Sequence, residues 1–386
     1  VEQMARRHQN KLPSLRWYRL MPVLALVVAL AFGQLGLAAA NPSSEDASSA
    51  AINDLLQSGR YSEAEEKARS MHAALVQSGE GDSTQAAEAL DLLVGALRAG
   101  GKAGQAETLA LAQEVVALWE RLVEPDDIRI TRSLRNLALL LAMHNDSVHA
   151  TALQERILAI REKALGPNAP AVGDTLHSLA NLKRTEGDYP AAEVLFRRAL
   201  AILERAVGPD HDDVASCLND FALDYHDTGN FAEAQRLLER ALAIYEKRAG
   251  GAQPMAISTL GNLGAVLCMR GDFATAQRTL EIALERAQKT FGPEHRRSVS
   301  IMGQLANLLA DRGDRAHAKT LYERVIGLDE KLFGSESPRL ATSFLNLGLL
   351  LTEMGDKAEA RVALEHALAI REKALGFDHP DRATVL

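Results

Sequence analysis

The 386-residue chain has little of what builds β-sheets, covalent frameworks or redox centres. Aromatic side chains make up 4% of it, alanine and leucine dominate, and no stretch alternates apolar and polar residues as a half-buried strand would. Its only cysteines are Cys217 and Cys268, too few for a disulfide-stapled scaffold. The zinc-protease HExxH pattern, the phosphate-binding loop and the nucleophile elbow are all missing, which removes the motif-bearing hydrolases and nucleotide enzymes. Charge excludes a further class. Forty-three Lys/Arg against 51 Asp/Glu give a formal charge of −8. Without a basic stripe, such a chain is a poor match for a phosphate backbone.

What the sequence does have is a beat. Gly166, Gly208, Gly250, Gly292, Gly334 and Gly376 stand 42 residues apart without a slip. Gly187, Gly229, Gly271, Gly313 and Gly355 keep the same interval, as do Ala150, Ala192, Ala234, Ala276, Ala318 and Ala360. A fourth series is Ala138, Ala180, Ala222, Gly264, Ala306 and Gly348. A fixed period of this size means stacked copies of one supersecondary unit. Within a unit, Leu176, Leu179, Ala180 and Leu182 recur at helical spacing over Asp174–Glu186. Ala192, Leu195, Phe196, Ala199, Ile202 and Leu203 do so over Tyr189–Val207. Gly187 separates the two helices, and Gly208-Pro209 ends the second. Small residues at the Ala180 and Ala192 positions let the two helices of a hairpin approach closely. Pro170, Pro254, Pro338 and Pro380 fall near the first turn of a first helix, where a missing N–H costs little.

Leu137-Ala138, Gly187-Asp188-Tyr189, Ala192, Phe196 and Ala199 resemble the tetratricopeptide repeat, normally about 34 residues long. The eight extra residues, Val207–Val214 in one unit, fall between hairpins. Together with stretches such as Ala369–Pro380 they resemble the 42-residue subtype of kinesin light chains and many bacterial proteins. The resemblance implies an all-α, right-handed superhelical solenoid of antiparallel hairpins. It covers residues 127–377 as six regular repeats, behind divergent repeats at 50–126, and departs from the pattern at Glu124 and Asn145, where the expected glycines are missing. Ala106 and Ala64 extend the alanine series backwards, and a two-residue insertion separates Gly101 from Asn145. Residues 378–386 begin a further repeat and stop. Two explanations are that the chain is a fragment, or that a partner or a second copy covers the open C-terminal face.

Residues 1–40 stand apart. Arg6, Arg7, Lys11, Arg16 and Arg19 precede an uncharged apolar run, Met21–Leu37, and the small residues Ala38-Ala39-Ala40, with a polar linker at 41–49. This is the pattern of a cleaved signal peptide; an uncleaved anchor is the alternative, since Leu20–Ala40 is just long enough to span a bilayer. Both place the repeats outside the cytoplasm, periplasmic or secreted. Residues 1–40 hold five Lys/Arg and one Glu, so cleavage moves the formal charge from −8 to −12. In the repeat frame the two cysteines are offset by about 13 Å along neighbouring helices, beyond the roughly 7 Å a disulfide spans.

No residue pattern calls for a cofactor, a metal or a catalytic group. His211-Asp212-Asp213 is replaced by unrelated residues at the same place in other units, so it reads as a helix start. His177 and His226 read as surface groups, and Arg161-Glu162-Lys163 as a solvated face with local pairing. The resemblance instead implies a non-enzymatic scaffold that binds an extended peptide or partner protein along its first helices. An alternative is the sensing or substrate-recruiting arm of a larger protein carrying an effector such as a CHAT-type protease. The implied ligand-facing positions flank Leu137, Leu179, Phe221, Leu263, Leu305 and Leu347. They carry Asn136, Asn219, Asn262, Gln304 and Asn346 before these residues, and Asn181 and Asn307 after them. An amide both donates and accepts and can read a peptide backbone; the same residues also suit a merely solvated stripe. Arg132, Arg135 and Arg184 are expected to hold an acidic part of the ligand. Asp220, Asp227, Asp311 and Glu353 follow further along the stripe.

Overall fold

The computed structural model describes residues 44–247 and 253–375. The expected leader and the expected start of a further repeat lie outside the described residues. Every regular element described is helical, and the chain forms two compact units divided between Ala96 and Leu97.

In the first unit, α1 (Ser44–Gln57) and α2 (Tyr61–Gln77) form a hairpin, followed by α3 (Thr84–Leu97), most of which belongs to the same unit. Ala64 and Ala68 of α2 are fully buried, as small residues at a helix crossing should be.

The second unit opens with a widened turn at Arg98–Lys102 and α4 (Ala106–Leu122). Six hairpins follow: α5 (Thr131–Met143) with α6 (Ser147–Leu165), α7 (Pro170–Thr185) with α8 (Tyr189–Val207), and α9 (Asp212–Asp227) with α10 (Phe231–Lys247). Then come α11 (Gln253–Met269) with α12 (Phe273–Phe291), α13 (Arg296–Asp311) with α14 (Arg315–Phe333), and α15 (Pro338–Met354) with α16 (Lys357–Leu375). Each helix packs on the next in sequence, and consecutive first helices from α7 to α15 also touch one another. This is the expected solenoid of hairpins.

The glycine beat has two separate causes. Gly187, at the turn inside a hairpin, has φ of 80°, and its counterpart Gly355 is left-handed at φ 88°, ψ 3°. Asn145 holds the same turn at φ 62°, the one described non-glycine residue with positive φ; asparagine tolerates this region better than other side chains. Gly208 and Gly292, between hairpins, combine φ of 92° and 96° with ψ of 155° and 157°. That second combination is open to almost nothing but glycine, so the strictest series marks the joints between repeats. After the inner turn, Asp146, Asp188, Asp272 and Asp314 accept hydrogen bonds from the backbone N–H three residues on, capping the second helix.

Packing bears out the small-residue series and corrects it at one end. A Cβ on Gly264 would lie 2.6 Å from Leu280, and one on Gly348 2.7 Å from Leu364. Ala106 is exposed, whereas Thr108, 42 residues before Ala150, is fully buried. The two-residue insertion therefore sits in the turn between Gly101 and α4. Thr108 fills the alanine position, with its hydroxyl donating to the Lys102 carbonyl at 2.8 Å. The pairing expected within Arg161-Glu162-Lys163 is corrected too. Lys163 reaches back to Asp126 at 2.6 Å, Glu162 pairs forward with Arg198, and Arg161 donates to the Ala171 carbonyl and the Thr175 hydroxyl. Such links between neighbouring repeats recur at Glu204–Arg240 and Asp210–Lys247. The reason is geometric: the last turn of a second helix abuts both adjoining units.

Candidate functional site

The first helices α7, α9, α11, α13 and α15 carry the amide stripe, and the structure ties most of it into rungs between repeats. Asn181 on α7 donates to Asp220 on α9 at 2.9 Å, and Nε2 of His177 lies 2.8 Å from the same carboxylate oxygen. Asn219 donates to the other Asp220 oxygen at 3.1 Å. Burial would raise the Asp220 carboxyl, but the hydrogen bonds from His177, Asn181 and Asn219, with the His177 charge, hold it below the usual range. His177 is thus not a surface group. Its side chain is largely buried and stands over the Phe196 ring, 6.0 Å between centroids. The next rung uses the Asn219 oxygen, which accepts from Thr259 and Asn262 on α11, each at 3.1 Å. On α13, Asn307 accepts from Tyr322 of α14 at 2.6 Å and from Asn346 of α15 at 3.2 Å.

Gln304 behaves differently. Its side-chain oxygen lies 3.2 Å from where a Cβ on Gly261 would stand and is buried without a hydrogen bond. Gly261 is therefore the space into which Gln304 fits. Asn136, on α5, is 3% exposed and belongs to the core side of that helix.

Of the three arginines singled out from sequence, Arg132 and Arg135 are exposed on α5. Arg184 points along the stack and binds Asp227 of α9 at 2.6 Å. Two other arginines lie within electrostatic reach of Arg135 instead. Arg98, in the widened turn, and Arg161, at the end of α6, are both half-buried. Burial and then the Arg135 charge lower the pKa of each. Sequence spacing could not show this pair, because Arg98 precedes the regular repeats and Arg161 lies on a second helix. A clue to Arg161 is that the end of a second helix always meets the start of the next first helix.

Further along, two contiguous cavities open on the first helices. One of about 610 Å³ runs past Cys268, Met269, Asp311, Leu349 and Glu353. A notch of about 260 Å³ lies between α13 and α15 and reaches Asp329 and Arg339. Gln304, Asn307, Tyr322 and Asn346 line both. His211 takes the part expected of a helix start: its Nδ1 accepts from the Asp213 N–H at 3.2 Å. Both cysteines are free thiols. Among the described residues no three His, Cys, Asp or Glu side chains are grouped as metal ligands, and no helix is long and apolar enough to cross a membrane.

Family models for the tetratricopeptide repeat match residues 149–205, 172–247, 255–331 and 340–381, more than half of the chain. The chain belongs to the tetratricopeptide repeat family. Proteins of this family generally act as scaffolds for protein interactions. Among solved structures, a tetratricopeptide repeat protein from Parabacteroides merdae is 16% identical, covering 74% of this chain and 93% of its own at a TM-score of 0.51. That likeness shows the fold alone. The nearly identical TPR-like repeats of a Podosopora anserina protein described as a kinesin light chain are 25% identical, covering 55% of this chain and 98% of their own, with a TM-score of 0.47. BtubC (BKLC) from P. vanneervenii is 24% identical, covering 64% and 95%, with a TM-score of 0.48. No curated protein matches the chain.

Proposed function

We propose that this repeat array is a non-enzymatic scaffold that holds an extended segment of a partner protein along the first helices of its second unit. The observation that carries the reading is the pair of contiguous cavities over α11, α13 and α15, lined by amides, by exposed Met269 and Leu349, and by carboxylates. Amide lining suits an extended backbone, which offers a donor and an acceptor at each residue. At the other end of the stripe, Arg132 and Arg135 stand exposed, with Arg98 and Arg161 close enough to feel the Arg135 charge. That end suits an acidic portion of the partner and guides its register more than its raw affinity. Arg184 is left out of the binding group because Asp227 already takes it.

The test is binding of acidic and neutral extended peptides to the full chain by fluorescence anisotropy at two salt concentrations. An acidic peptide should bind more tightly at low salt and lose about tenfold with Arg132→Glu and Arg135→Glu together. Equal binding by that variant would remove the arginines from the site. The proposal includes work outside the cytoplasm, which rests on the basic, apolar and small-residue succession in residues 1–40. A reporter active only after export, fused behind residue 60, should be active in cells.

A further inference from the structure

The two cavities over α13 and α15 differ in charge from the arginine end of the stripe. Asp329, near the end of α14, is 2% exposed and lines the 260 Å³ notch. One of its oxygens accepts from Ser343 at 3.2 Å. The other has no hydrogen bond; the nearest cation, Arg339 Nε, stays 3.9 Å away, with its guanidinium over the Phe333 ring. Gln304, shared by both cavities, also buries an oxygen that accepts nothing. Two buried acceptors without donors in one continuous space are costly unless something arrives to donate. In the adjoining cavity, Met269 is 57% and Leu349 54% exposed. Asp311 stands beside them, and Glu353, its partner Arg315 3.3 Å away, completes the rim. A rim of carboxylates around exposed methionine and leucine fits a long, thin cation or an apolar side chain next to one, because the stems of lysine and arginine lie on apolar surface while their heads seek charge.

We infer that the notch and cavity over α13 and α15 are a docking site for a basic-apolar segment of the partner, with an arginine or lysine head donating to Asp329 and Gln304 and a neighbouring apolar side chain on Met269 and Leu349. This rests on the reading of the first-helix face as a peptide site and names the chemistry of its far end. The partner segment is bipolar: acidic over α5, basic over α13 and α15. Guanidinium is the better fit at Asp329, since its several N–H groups can serve a carboxylate and an amide oxygen together.

The test uses the full chain and three fluorescent heptapeptides with blocked ends, in which arginine, glutamine or glutamate alternates with leucine. The arginine peptide should bind at least tenfold more tightly than the glutamine one, and the glutamate peptide should be weakest in competition at this end. Asp329→Asn and Asp311→Asn should each lower arginine-peptide affinity at least threefold and leave glutamine-peptide affinity unchanged. Asp311 is exposed, so its variant keeps the test valid if Asp329→Asn unfolds, which circular dichroism reports. Leu349→Ser should weaken both the arginine and the glutamine peptides. If the glutamine peptide binds as well as the arginine peptide, the basic segment is wrong while the groove stands. If the glutamate peptide wins and Asp311→Asn strengthens it, the proposed polarity is reversed and the inference falls. If no peptide binds, both the inference and the scaffold reading fail.

Discussion

Asn219→Ala separates two roles for the amide stripe, as mortar between repeats or as ligand contacts. Asn219 is 7% exposed and makes three hydrogen bonds: it accepts from Thr259 and Asn262 and donates to Asp220. Truncation removes all three. Asn262 and the Asp220 carboxylate can turn to water, so each loss should cost about 0.5–1 kcal/mol. Thr259 is 1% exposed and cannot reach water. Its hydroxyl can fall back on the carbonyl one turn earlier in α11, a weaker arrangement, which puts this term near 1 kcal/mol. The sum is about 2–3 kcal/mol, concentrated at the α9–α11 junction because a solenoid's stability is summed over neighbouring interfaces. Urea unfolding of the full chain should show this loss. Thr259→Val in the same background should then cost about 1 kcal/mol less than in the native protein, a coupling that a double-mutant cycle isolates. A loss below about 0.5 kcal/mol with no coupling, accompanied by weaker peptide binding, would refute the structural role and return Asn219 to the ligand.

Four further variants probe other parts of the molecule. Gly292→Ala should destabilise by about 1–3 kcal/mol, since φ 96°, ψ 157° is closed to a residue with a Cβ, whereas Asn145→Gly should stabilise slightly, by less than about 1 kcal/mol, both read by thermal unfolding. Asp224 is 1% exposed, and burial, helped by the Glu193 charge, pushes its carboxyl up to about 6. The folded protein therefore holds this proton more tightly than the unfolded chain, and native stability drains away as pH rises from about 4 to about 6. Asp224→Asn should be indistinguishable from native near pH 4 and more stable by about 1–3 kcal/mol at pH 7, an advantage measured by urea titration at each pH. Arg184→Ala breaks a half-buried pair with Asp227 and should cost about 1 kcal/mol in urea unfolding without changing acidic-peptide affinity.

The fold was legible because its rules are local and repeat. A glycine required at every joint, a small residue at every crossing and an aspartate or asparagine at every inner cap write the same constraint six times, so chance cannot imitate it. The failures were at contacts across repeats. His177 looked like a lone surface residue because its partner, Asp220, lies 43 positions away on another first helix. Arg184 looked available for the same reason, its Asp227 again 43 positions on. Ala106 looked like a packing residue because the insertion after Gly101 could not be placed within its turn from spacing alone. In each case the missing fact was which side chain of the next repeat stood opposite.

Those cross-repeat contacts also explain why equal spacing does not produce equal binding sites. At the α7–α9 junction, Asp220 collects His177, Asn181 and Asn219, and at α9–α11 the Asn219 oxygen collects Thr259 and Asn262. These amides meet one another, so little of their hydrogen-bonding capacity is left to offer. Between α11 and α13 the rung fails: Gly261 supplies no side chain to answer Gln304, whose oxygen stays unbonded. Between α13 and α15 Asn307 takes Tyr322 and Asn346, but its own N–H groups form no such rung, and the notch beside it holds the half-answered Asp329. The middle of the array spends its polar groups on cohesion, and the later repeats leave acceptors unspent beside exposed apolar side chains. Binding capacity in this solenoid is therefore set by where its internal rungs are left incomplete.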